Sequence, residues 1–557
     1  ITLVSPTKGS VGTTITVYGN GYGASETVFI DFGLKTPIVS PICKHDGTFS
    51  TTFTIDTQVF GTKTLTVSGQ TTGDVDYRKI KVTPEIVWVS PLNGMVGTVI
   101  TIYGTGYAGT STLYVDFGTE DRVGWSSIIS SLPIETSERG TFTGYLNTTI
   151  PQGYGSTTIT AYHEATEITA DNWFTITPRI YQVTPNKATV GTMITIYGDG
   201  YGALGTVSVK FGQTLSITMG HTDASGTFST LFTVDTQAYG ITTITGYGRF
   251  AKSHESENSL QIITKVHTVT PTIGTVGTII TVSGNGYAVS ETVEILLDTE
   301  KMSIISGDKV VSDGSFAAKF AVTTQVFGTR VITVTGPDSK LPAYNEFFII
   351  PEVYSVVPTI GIIGTAMTIS GTGYGSTKWV YIDFGTRLGT DSSKQIQTQN
   401  NGTFVYTYEP QSAYPQPAGT TTITAWEEGG ETLRVAKNRF YIQARIFSVS
   451  PTEGSVGTRI TIEADGYSAN FPVRIDFGTI QSKAVGTSSG SGTFSTSFVI
   501  DPQAYGVTTI TATCKLNTAA NICKILPNII LVTPTHGSVG TIISVRGDGF
   551  GATDTIN

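Results

Sequence analysis

At 557 residues the chain is too long for a single hydrophobic core and must divide into several domains. Charged residues make up only 13% while glycine alone counts 64, so hydroxyls and glycine must fill the solvent-facing positions, as they do on β-sheet surfaces. A formal net charge of −9 with no basic run excludes the footprint of a nucleic-acid binder and a polybasic membrane patch, and no run of roughly 18 apolar residues is present to span a bilayer.

In chain order, the first element after Pro6 is Thr14-Ile15-Thr16-Val17-Tyr18, whose period of two turns Ile15 and Val17 toward a core and the threonines outward. A turn through Gly19 and Gly21 follows, with Tyr22 returning to the core. The next strand, Val28 to Phe32, points Val28, Ile30 and Phe32 inward and stops at Gly33. Then come an AspGlyThrPhe turn at 46–49, an aromatic-glycine turn at Phe60-Gly61 and a closing ThrIleThr-type strand. No helical periodicity of useful length occurs anywhere.

This pattern restarts at Pro91, Pro185, Pro271, Pro358, Pro451 and Pro534, at spacings of 83 to 94 residues, the size of a small two-sheet sandwich. The divisions expected are 1–83, 84–177, 178–264, 265–350, 351–443, 444–527 and an incomplete 528–557, the second and fifth being long. The last strand of each repeat runs straight into the next. Prolines 84, 178, 351 and 527 stiffen the joints, and Trp88, Tyr181, Tyr354 and Phe447 are the side chains expected to wedge between neighbours. An extended rod on the order of 200 Å is expected, from six sandwiches of roughly 35–40 Å each.

A longer period overlies the repeat. Repeats 1 and 4 share SerGluThrVal (Ser25 to Val28, Ser290 to Val293) and GlnValPheGly, while repeats 3 and 6 share GlnAlaTyrGly, so the unit of duplication is a three-repeat block. Because the chain opens at Ile1 without an initiator methionine or a signal peptide and stops at Asn557 inside a repeat, it reads as a segment of a longer, processed protein. With residues 528–557 holding about two strands, the expected context is a larger domain, the alternative being a strand lent to a neighbouring copy.

The recurring Pro-x-x-Gly-x-x-Gly-x-x-(Ile/Val)-x-(Ile/Val)-x-Gly-x-Gly-(Tyr/Phe) resembles the start of an IPT/TIG-type immunoglobulin-like domain, and the resemblance covers essentially the whole chain. It implies an all-β fold of tandem immunoglobulin-like β-sandwiches. Such domains serve in adhesins, surface-layer proteins, receptors, transcription factors and carbohydrate enzymes, so function does not follow from the fold. Repetition without another domain type is most similar to prokaryotic cell-surface proteins.

Motifs that carry chemistry are few. GlyThrGlyTyrAlaGly at 104–109 fits a dinucleotide fingerprint but is followed by a strand where a helix is needed, and His163-Glu164-Ala-Thr-Glu167 departs from the zinc-hydrolase spacing. His45 beside Cys43 and Asp46 reads as a solvated loop, with a metal or catalytic site the alternative. No enzyme activity and no required cofactor is expected. Acids recur at Asp31, Asp116, Asp383 and Asp476 and again at Asp56, Asp235 and Asp501; calcium at the junctions is one reading, turn bonds to the backbone the other. Cys514 and Cys523, with eight residues between them, are read as a cross-hairpin disulfide, the alternative being free thiols, and Cys43 is left over. Asn147-Thr-Thr and Asn401-Gly-Thr match N-glycosylation acceptors, or are bare strand and turn residues.

The expected role is structural and extracellular. A self-assembling surface-layer or fibre subunit comes first, with other copies of itself and cell-surface glycans as partners. An adhesin stalk, or accessory modules of a carbohydrate-active protein, are the alternatives.

Overall fold

The computed structural model describes all residues except 119–133, 148–150, 164–167, 249–254, 386–394, 410–414, 429–433, 554 and 557. The chain falls into two compact units, one of residues 1–265 with 285–289 and 312–315, the other of the remaining residues to 557.

In the first repeat of unit 1, β1 (Leu3–Ser5), β3 (Thr14–Gly19) and β6 (Phe49–Thr54) form a three-stranded sheet in the order β1-β3-β6. Facing it, β2 (Lys8–Gly9), β4 (Val28–Phe32), β5 (Lys35–Val39), β7 (Gly61–Gly69) and β8 (Val75–Val82) form a five-stranded sheet in the order β2-β8-β7-β4-β5. The first strand is therefore shared between the two sheets, β1 pairing antiparallel with β3 and β2 pairing parallel with β8. The cis peptide bond Ser5-Pro6 lies between its halves. A divided first strand, the second half parallel to the last, is the topology of an immunoglobulin-like sandwich.

Alternation dictates what lies between the sheets. Ile15 and Val17 of β3, Val28, Ile30 and Phe32 of β4, Leu65 and Val67 of β7, and Ile80 and Val82 of β8 are buried in one core, and the threonines between them face out or sit at the margin. Each such side chain contributes roughly 1.5–3 kcal/mol on burial. The same strand order recurs in the sandwiches that begin at Glu85 and Arg179 in unit 1 and at Glu352 and Arg445 in unit 2, each around its own core. In the repeat that begins near Lys265, Ile304–Ser306 adds a fourth strand to the first sheet. Beyond it all, Asn528–Thr533 and Ser544–Asp548 pair as an antiparallel two-stranded sheet. No α-helix occurs among the described residues, and the fold is all-β.

Candidate functional site

The two turn motifs that recur in sequence meet at the repeat junctions. Within unit 1 the backbone N–H of Phe60, in the aromatic-glycine turn of repeat 1, donates to the carbonyl of Tyr107 in repeat 2 at 3.1 Å, and Tyr154 donates likewise to Tyr201 at 2.9 Å. Unit 2 repeats the bond from Phe327 to Tyr374 at 3.0 Å, Ala418 to Tyr467 at 3.0 Å and Tyr505 to Phe550 at 3.1 Å. Since Ala418 makes it as well as the aromatics do, the backbone carries the joint and the ring is an addition.

The receiving tyrosine is set by its own repeat. Its N–H donates to the glycine of the GlyThrPhe turn, as Tyr201 does to Gly226 at 3.1 Å and Tyr467 to Gly492 at 3.1 Å. Those glycines cannot change. A Cβ on Gly226 would come within 2.8 Å of Gly153 Cα, and one on Gly492 within 2.7 Å of Pro417 Cα, both in the preceding repeat. Their φ of +75° is unfavourable for other residues as well. Tyr107, Tyr201, Tyr374 and Tyr467 are fully buried, and burial raises their phenols, that of Tyr201 to about 12 despite its hydrogen bond with Ser256 at 2.5 Å.

The expected wedges lie elsewhere. Trp88, Tyr181, Tyr354 and Phe447 are 43–58% exposed on the outer faces of the three-stranded sheets, where Trp88 stacks on Tyr103 of the next strand with ring centroids 5.9 Å apart. A side chain on the outer face of a strand points away from the sandwich, so it packs along the sheet and not across the joint. Phe60 is the ring that enters a neighbour's core, packing against that of repeat 2.

Side-chain locks at the junctions follow the three-repeat period. Arg179 holds Asp199 through two hydrogen bonds of 2.9 Å, and Arg445 holds Asp465 through two of 2.8 Å, with both carboxylates buried. Each arginine also lies over an exposed ring, Tyr181 or Phe447. The SerGluThrVal motif of repeats 1 and 4 is a second lock. Buried Glu26 accepts from the amides of Gly23, Thr71 and Thr72, and buried Glu291 from those of Asp338 and Ser339, stapling each loop to the turn before the last strand. Burial alone would raise the Glu26 carboxyl, but the amides and the Thr72 hydroxyl outweigh it and hold it below the ordinary carboxylate range.

The cysteine pairing is corrected by strand register. A tight turn at Lys515-Leu516 puts Cys514 opposite Asn517 and Cys523 opposite Thr508, which is about 20 Å along the strand from Cys514 and outside disulfide reach. All three cysteines are free and buried, and burial pushes the thiols of Cys43 and Cys523 up. Because Cys43 points into its core, it takes no part with exposed His45, while Asp46 bonds the amide and hydroxyl of Thr48.

Five of the seven recurring acids are occupied locally: Asp56 accepts from Gln58, Asp235 from Gln237 and Thr214, Asp501 from Lys483, Asp476 from Arg474, and buried Asp383 from the Trp426 indole. No group of three His, Cys, Asp or Glu that could hold a metal ion comes together among the described residues. Asn401 is exposed in a turn, where its carbonyl accepts from Thr403. Asn147 is exposed at a strand end, and Thr149, which completes its acceptor motif, lies outside the described residues, as do Glu164 to Glu167.

No family model matches the chain. No curated protein matches it either. Among solved structures it is similar to a tetra-tandem repeat in the extending region of a large adhesion protein, at 13% identity and TM-score 0.17 over 63% of this chain and 98% of that one. It is also similar to the eight N-terminal Ig domains of Down syndrome cell adhesion molecule, at 11% identity and TM-score 0.16 over 94% and 84%. A third is invasin, a bacterial integrin-binding protein, at 13% identity and TM-score 0.18 over 64% and 81%. Values this low bear on neither activity nor arrangement.

Proposed function

We propose that the chain is a structural spacer of a prokaryotic cell surface, built from IPT/TIG-type immunoglobulin-like repeats. The observation that carries this reading is the junction: one backbone hydrogen bond and one or two linker residues recur from repeat to repeat within each unit, with a sterically closed glycine contact added at Gly226 and Gly492. Joints of this kind restrict bending, which a spacer needs and a set of independent binding modules does not. Small-angle scattering of the purified chain tests it. A stiff particle on the order of 200 Å long is expected, whereas a flexible ensemble of beads would overturn the reading.

Two surface roles use such a spacer. The first is a self-assembling subunit of a surface layer or extracellular fibre, with other copies and cell-surface glycans as partners, and the large rings exposed on outer sheet faces, such as Trp88 and Tyr145, favour lateral contacts of that kind. The second is an adhesin stalk. Electron microscopy of the purified chain at rising concentration separates them, with ordered sheets or fibres for the first and single particles for the second.

A further inference from the structure

Repeats 2 and 5, the long ones, share a feature on the outer face of the five-stranded sheet. Tyr114 stands directly opposite Tyr162, the rings 5.7 Å apart and 28° from parallel, and Tyr381 stands opposite Trp426 at 4.5 Å and 20°. All four are half-buried, leaving some of each ring open to solvent. The same cross-strand position holds Phe29 and Ser68 in repeat 1, Ser208 and Tyr247 in repeat 3, Glu294 and Thr335 in repeat 4, and Arg474 and Thr513 in repeat 6. Paired rings thus occur once per three-repeat block and in the same place.

Polar groups lie in the neighbouring rows. In repeat 5, Asp383 is opposite Thr424 and accepts from the Trp426 indole at 3.2 Å, which fixes the ring, while Gln395 is opposite Tyr381 on its other side. In repeat 2, Asp116 is opposite Thr160. Trp379, 40% exposed, extends the apolar surface in repeat 5.

We propose that these two faces are saccharide-stacking sites. A pyranose ring has an apolar C–H face and a perimeter of hydroxyls, which is the complement of paired aromatic rings bordered by the Gln395 amide and Thr424 in repeat 5 and by Thr160 in repeat 2. In repeat 5 the Tyr381 backbone is paired on both sides, with Gln395 and Trp426, so a partner's strand cannot add at that ring. Phosphate-bearing ligands are disfavoured by the acid in each row. The site stands on geometry and does not depend on the spacer reading.

The test titrates the full chain with cellopentaose, chitopentaose and mannopentaose, following tryptophan fluorescence and heat. Two sites per chain are expected for at least one of them. Trp426→Leu with Tyr381→Leu should weaken one site about tenfold or more, and Tyr162→Leu with Tyr114→Leu the other. Trp426→Tyr, which keeps a ring, should retain binding, and Tyr441→Leu, on the same sheet but away from the pair, should leave it unchanged. Trp379→Leu, at an exposed position that folding does not need, should weaken the repeat 5 site and so reports on it even if the double variant fails to fold. Absence of binding up to about 10 mM of all three sugars, or binding that survives both pairs of substitutions, would overturn the proposal.

Discussion

The junctions that open repeats 3 and 6 differ from those that open repeats 2 and 5 at one cross-strand position. In the former, Arg179 faces Asp199 and Arg445 faces Asp465; in the latter, Glu85 faces Thr105 and Glu352 faces Thr372. All four residues on the second strand are buried, yet the aspartates are doubly hydrogen-bonded whereas the hydroxyls of Thr105 and Thr372 bond to no group among the described residues. Both kinds of joint keep the backbone bond between turns, so the side-chain lock is an addition that distinguishes joints without being needed to make one. Its recurrence at every third joint places the duplication at the level of the block.

Breaking the lock should have the largest effect. Arg445→Ala strands a buried carboxylate and is expected to cost about 3 kcal/mol locally, read as faster amide exchange in Arg445–Ser450, while Glu352→Ala should stay within about 0.5 kcal/mol. Equal costs would remove the distinction between the joints. Closing the glycine contact comes next: Gly492→Ala forces both an unfavourable φ and a clash with Pro417, and about 2 kcal/mol should be lost in protection of the turn around Ser489 to Thr493. Thr372→Val replaces a buried unbonded hydroxyl with a methyl and should be neutral or stabilising by about 1 kcal/mol; a clear loss would mean that the hydroxyl is satisfied in solution.

The smallest effect compares equivalent turns by pH. The Thr227 hydroxyl, with Ser225 and two amides, outweighs burial and holds the Asp223 carboxyl at about 2, whereas the same place in repeat 6 is Ser489, bonded to Thr493. A carboxyl depressed by folding contributes stability that is present above its unfolded value near 3.9 and is lost as pH falls through the folded one. Protection of the amides in 223–227, measured against the intrinsic exchange of unfolded peptide at each pH, should therefore fall between about pH 4 and 2 while that in 489–493 stays constant. Parallel behaviour would show that the carboxylate does not hold its turn.

Strand faces were legible because alternation is a local property: Ile15, Val17, Val28, Ile30 and Phe32 all lie where a period of two puts them. Contacts between turns far apart in the chain leave no such trace, so the residues that flank the prolines do not turn out to be the wedges, and the turns that do meet, at Phe60 and Tyr107, are legible only as repeated motifs. Cys514 and Cys523 failed for a related reason: spacing alone leaves register open until the turn length is known, and a turn at Lys515-Leu516 moves the second sulfur six residues down the strand. Of the aromatic faces, the rings were present in sequence, but their pairing across strands whose connection is long was not.

The parallel pairing of β2 with β8 also decides how a repeat meets mechanical load. Tension along the chain enters through the first strand and leaves through the last, and here Lys81 donates to Thr7 and Thr83 to Gly9 across neighbours that run the same way. Pulled from its ends, such a pair is sheared, so both bonds resist together and must fail together, where an antiparallel pair tugged from its open end would unzip and lose its bonds in turn.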